Sequence, residues 1–97
     1  MADQEQIMTQ HPQGKRGVNI SRAKYDKIRA GILDALRKEG PLITTELIGH
    51  VSLAQPHFEG SIPWYTESVK LDLEARGVIE RIPETRPEQL RLTGRDG

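Results

Sequence analysis

The chain has 97 residues, no cysteine, and fourteen basic against fourteen acidic residues, so its formal net charge is zero. Those numbers allow one small domain with a small core, and they exclude a disulfide framework, a thiolate zinc site and a thiol nucleophile. They also count against a protein held to nucleic acid chiefly by a general basic excess. No apolar run reaches the length of a membrane span, and MADQEQIMTQHPQGKRG lacks the apolar region of a signal peptide. The expectation is therefore a cytoplasmic protein without membrane contact.

Residues 1–17 are polar, rich in glutamine and without hydrophobic periodicity, and read as a flexible N-terminal tail. Lys15 and Arg16 in it could touch an acidic surface such as a DNA groove, although a solvated tail is the simpler role. The folded domain is expected over 18–93, with 94–97 frayed.

Ser21 offers an N-cap, and Tyr25, Ile28, Ile32, Leu33 and Leu36 follow at helical spacing until Gly40 and Pro41 stop the helix. Gly31 inside it costs about 1 kcal/mol relative to Ala, which a close helix crossing would explain. This segment concentrates charge, with Arg22, Lys24, Lys27, Arg29, Arg37 and Lys38 against Asp26, Asp34 and Glu39. A local positive field can therefore exist on a neutral chain.

Leu42 and Ile43 read as a short edge strand. Thr44 or Thr45 then caps a second helix that turns Leu47, Ile48 and Val51 inward and ends near 52–55. AQPHFEG at 54–60 is the connection, with Phe58 inserting into the core. Ser61 caps a third helix that tolerates Pro63 in its first turn. On a helical wheel Tyr65, Val69 and Leu73 form one stripe, with Trp64, Leu71 and Ala75 beside it. Thr66, Glu67, Lys70 and Glu74 are assigned to the opposite, exposed arc. Trp64 and Tyr65 read as core in preference to stacking groups, and Trp64 with Leu71 would also suit a dimer contact. Gly77 ends the helix. Val78, Ile79 and Ile82, then Leu90 and Leu92, alternate as a two-stranded ribbon around the turn PETRPE.

VKLDLEARGVIERI at 69–82 resembles the end of the recognition helix and the start of the wing in winged helix-turn-helix proteins. GPLITTELIGHV at 40–51 resembles that superfamily's second helix with its short strand. The similarity spans about 20–93, and the chain also resembles small uncharacterised bacterial proteins built on this plan. The resemblance implies an α+β winged helix-turn-helix with three helices and a small antiparallel hairpin wing. It further implies double-stranded DNA as partner, the third helix entering the major groove. Thr66, Glu67 and Lys70 would then face base edges, Ser61 a phosphate, and Arg81, Arg86 and Arg91 would be wing contacts. The function so implied is that of a DNA-binding protein, a transcriptional regulator acting as a dimer. The alternative is a winged-helix module that binds protein and no nucleic acid. The arc itself favours the alternative, since Lys70 stands among Glu67, Asp72 and Glu74 and carboxylates are repelled by phosphates.

Glu46, His50 and His57 are the only spacing suggestive of metal ligands, and nothing in the sequence completes that set, so no metal or cofactor is expected. No nucleophilic triad, phosphate-cradling loop or carboxylate pair can be argued, so no enzymatic activity is expected.

Overall fold

Ser21 starts the longest helix as its side chain requires. The hydroxyl accepts the Lys24 amide, and α1 runs over Arg22–Glu39 until Gly40, whose N–H returns to the Leu36 carbonyl. The computed structural model describes residues 5–95, an α+β fold of three helices and two small antiparallel sheets. After α1 come β3 (Leu42–Ile43), α2 (Thr44–Ala54), α3 (Ile62–Ala75), β4 (Ile79–Arg81) and β5 (Gln89–Leu92); ahead of it lie β1 (Gln6–Met8) and β2 (Asn19–Ser21).

The three helices pack on one another around Ile28, Ile32, Leu47, Val51, Val69 and Leu73, all fully buried. Each such side chain contributes about 1.5–3 kcal/mol relative to exposure. Gly31 lies at the crossing of α1 and α2. A Cβ there would stand 3.3 Å from Val51 Cγ2 and 3.7 Å from Val51 Cα, so the glycine lets the two backbones approach. The close crossing expected from the sequence is present.

The N-cap of α2 is Ile43, ahead of both expected candidates, Thr44 and Thr45. An aliphatic side chain cannot accept a hydrogen bond, and Glu46 takes the Ile43 N–H instead at 3.0 Å. At the end of α3, Gly77 adopts φ +76°, the Val78 N–H reaches back to the Leu73 carbonyl and the Gly77 N–H to that of Glu74. This paired closure needs a left-handed residue, which glycine supplies without a Cβ penalty. It turns the chain straight into β4. The three-stranded sheet has the order β3-β5-β4, with Leu42 opposite Leu90 and Ile79 opposite Leu92. Ile79 and Leu90 point into the core and Leu92 packs at its margin.

The expectation of a flexible tail over 1–17 is corrected for the described part. β1 pairs antiparallel with β2, Ile7 opposite Ile20, and Thr9 closes the hairpin from both ends: its N–H donates to the Val18 carbonyl and its hydroxyl accepts the Val18 N–H, each at 2.9 Å. Thr9 is buried and Ile7 packs against the core. The loop passes so close to itself at Gly17 that a Cβ would fall 1.8 Å from the Thr9 carbonyl oxygen. Residues 1–4 of the expected tail lie outside the described residues. So do 96–97 of the expected frayed end, whose described part includes a bond from the Arg95 N–H to Thr93 Oγ1.

Candidate interaction surface

Helix α3 carries three of the seven residues expected to touch DNA, with a fourth, Ser61, at its N-cap. Its packed arc is wider than its apolar stripe. Thr66 is fully buried, and its hydroxyl has no hydrogen-bond partner among the described residues. The Lys70 side chain is only 7% exposed. Its Nζ stands 2.9 Å from Glu67 Oε1 and 3.8 Å from Glu74 Oε2. Glu74, 5% exposed at its side chain, is held in turn by Arg81 of β4, whose Nε lies 2.5 Å from Glu74 Oε1. Arg81 Nη1 also reaches Glu88 at 3.1 Å, and the hydrogen bond to Glu74 raises the Arg81 guanidinium above its ordinary pKa.

The assignment of Thr66 and Lys70 to an exposed arc is therefore corrected. At 3.6 residues per turn Thr66 lies roughly 20° from Leu73 and Lys70 roughly 60°, so both fall within the face packed on the rest of the domain. Angular position decided their burial; their polarity did not. The remaining expected contacts are scattered. Ser61 is exposed, its hydroxyl accepting the Trp64 amide at 3.3 Å. Glu67 stays at the surface as the partner of Lys70. Arg91 of β5 is tied to Glu80 of β4 across the ribbon at 2.7 Å. Arg86, exposed on the hairpin loop, has no ion pair among the described residues.

One buried group is not foreshadowed by the sequence pattern. Asp72, with no exposed surface, accepts three hydrogen bonds from three parts of the chain. They are the Gln10 N–H in the loop after β1 at 2.8 Å, the Tyr25 hydroxyl of α1, and Arg76 Nε at the end of α3 at 2.9 Å. A buried carboxylate is tolerated when its lone pairs are filled in this way. The hydrogen bond from Arg76 to Asp72 also raises that guanidinium's pKa. The spacing of Asp72 and Arg76, four apart, was the available signal; the other two donors are distant in sequence.

Burial first, and then the bond to Asp72, push the Tyr25 phenol up from 10.0 to about 12. The fold therefore prefers the neutral phenol. That stabilisation, on the order of 2–3 kcal/mol, is present in full below pH 10 and is lost as pH rises through about 12. Urea unfolding midpoints are expected to drop across this window, and Tyr25→Phe is expected to flatten the drop. A midpoint as steep in pH for the phenylalanine variant would assign the effect to another group.

At the other end of α3 the aromatic residues gather. Tyr65 meets Phe58 edge-on at 5.1 Å and Trp64 edge-on at 4.9 Å, while Lys24 Nζ stands 5.4 Å from the Tyr65 ring and 5.8 Å from Phe58. Phe58 and Tyr65, expected inside the core, are half-buried and pack against its margin, while Trp64 remains 45% exposed. Its expected core role is corrected: in the first turn of α3 it packs edge-on against Tyr65 and leaves nearly half its surface open.

No described helix is long and apolar enough to cross a membrane, and no three His, Asp or Glu side chains among the described residues are grouped to hold a metal ion. A protein-family model, described as a family of unknown function (DUF6958), matches residues 6–90. The chain belongs to that family. The DUF6958 span takes in β1 and β2 as well as all three helices. No curated protein and no solved structure gave a match.

Proposed function

We propose that this DUF6958 protein is a winged-helix module that binds another protein, not duplex DNA. The helix order, the short strand β3 ahead of α2 and the sheet order β3-β5-β4 support the winged-helix plan. One observation carries the choice of partner: Lys70, the only cation on the recognition-type arc of α3, is buried between Glu67 and Glu74. A helix presented this way offers a phosphate backbone no free positive charge. Arg81 and Arg91 are likewise matched by acids, while Trp64 stands out at the N-terminus of the same helix. Exposed tryptophan is a frequent anchor in protein interfaces.

A second reading, DNA binding without α3, rests on Lys15 and Arg16 in the arm and Arg86 in the hairpin loop. All three are exposed and without ion pairs among the described residues. Fluorescence anisotropy with mixed-sequence duplex DNA at low and physiological salt decides between them. The expected result is no saturable binding at either. Binding that weakens steeply with salt would overturn the proposal and restore DNA as the partner.

A further inference from the structure

Two clefts adjoin along α1 and share Arg29 and Val78. One, of about 320 Å³, is lined by Arg29, Leu33 and Arg37 of α1, and by Val78, Leu92, Gly94 and Arg95. The other, of about 270 Å³, continues past Arg29 to Arg76, Tyr25, Asp26 and Arg22. Five of the chain's nine arginines thus face one continuous trough, against a single lining carboxylate, on a protein whose net charge is zero. The α1 residues come into line because Arg22, Arg29, Leu33 and Arg37 recur near seven- and four-residue intervals, one face of a helix. The turn after β5 adds Arg95 to the lining, its Nη1 3.4 Å from where a Cβ on Gly77 would stand.

Several of these cations are open to exchange. Arg95 has no ion pair among the described residues. Among the described residues Arg37 is held only by Asp34 at 3.4 Å, and Arg22 by Asp26 at 3.4 Å and Glu5 at 3.8 Å, all with side chains about half exposed or more. Loose surface pairs of this kind are worth little, so a ligand carboxylate can replace them. Arg76 is committed to Asp72, which cancels most of its charge.

We infer that this trough binds an acidic, aliphatic segment of a partner protein, an inference that rests on the protein-binding proposal above. Guanidinium forks pair with carboxylates in two parallel hydrogen bonds. The Leu33, Val78 and Leu92 floor suits an aliphatic side chain between them. Single-stranded nucleic acid would find the charge but no stacking platform: the one aromatic in the lining, Tyr25, is buried with its hydroxyl bound to Asp72.

The test uses the full chain, isotopically labelled, titrated with a short peptide alternating glutamate and leucine. A glutamine-for-glutamate peptide, an oligothymidylate and unlabelled protein serve as competing probes. The acidic peptide should shift amides around Arg37, Val78 and Arg95. The double variant Arg37→Glu, Arg95→Glu should weaken peptide binding by about tenfold for each arginine reversed, while keeping the wild-type melting temperature. Arg86→Glu and Arg91→Glu should leave the affinity unchanged. Equal binding of the glutamine peptide, shifts elsewhere, preference for the oligonucleotide, or the same shifts from unlabelled protein alone would each overturn it. Failure here with no duplex binding sinks the trough and leaves the protein-binding proposal standing. Duplex binding in the anisotropy experiment sinks that proposal whatever the peptide does.

Discussion

Asp72→Ala is expected to remove about 3–5 kcal/mol of stability, the usual result of breaking a buried, hydrogen-bonded charge pair. Three donors converge on that carboxylate, and the alanine leaves each of them without its acceptor: the Gln10 N–H, the Tyr25 hydroxyl and the Arg76 guanidinium. For a small domain, whose total is typically about 5–15 kcal/mol, such a loss is a large fraction of the whole. The damage should also be directional. Gln10 is the point where the loop after β1 is anchored to α3, so the β1–β2 arm should loosen before the helices do. Denaturant unfolding gives the size of the effect, and amide exchange at Thr9 and Val18, whose N–H groups close the arm, gives its location. Asp72→Asn keeps the volume and one good acceptor, and should cost less. A loss under about 1 kcal/mol with unchanged exchange in the arm would show that the three bonds are replaceable by water.

Lys70→Glu is the second change expected to have a large effect, and it acts through the fold. The new carboxylate would sit where Nζ now lies, 2.9 Å from Glu67 and 3.8 Å from Glu74, in a site almost closed to solvent. Three acids would then crowd together, with Arg81 bonded to Glu74 alone among them. A loss of about 3–5 kcal/mol is expected, seen as a fall in melting temperature and loosening of the α3–β4 junction. Lys70→Met keeps the packed stem and leaves Glu74 with Arg81, and should be far milder. Arg86→Glu, on the open loop, should change stability by no more than about 0.5 kcal/mol. A wild-type melting temperature for Lys70→Glu would mean that Lys70 swings free in solution. The practical consequence concerns binding assays. Reversing Lys70 cannot report on a partner, because any lost affinity would follow from lost structure; Arg86, Arg37 and Arg95 are the positions where charge can be changed cleanly.

The arginine trough and the closed face of α3 are two sides of one distribution. Charges on α3 and on β4 and β5 are neutralised within the domain, and the cations left open to exchange gather along α1 and the turn after β5. A neutral total therefore hides a polarity that composition could not report.

The sequence by itself determined the local elements. Ser21 and Ser61 placed two helix starts, Gly40 and Gly77 two helix stops, and the alternation of Leu90 and Leu92 the last strand, because caps, left-handed stops and strand alternation depend on near neighbours. Even Gly31 carried its message, since a glycine inside a helix points to a close crossing, and Val51 supplies it. Everything that depended on which surfaces meet was decided by the tertiary structure. The short segment Gln6–Met8 became a strand because Asn19–Ser21 offered a partner and Asp72 an anchor. Thr66 and Lys70 went inside because α3 is covered over a wider arc than its apolar stripe. Lys70, Arg81 and Arg91 are each met by carboxylates from neighbouring turns and strands. Those partners are separated by between three and eleven residues in sequence and lie within 4 Å in space. Helical periodicity already sets Glu67 and Glu74 beside Lys70. The pairs of Arg81 with Glu74 and Arg91 with Glu80, by contrast, exist only because the strands meet their neighbours.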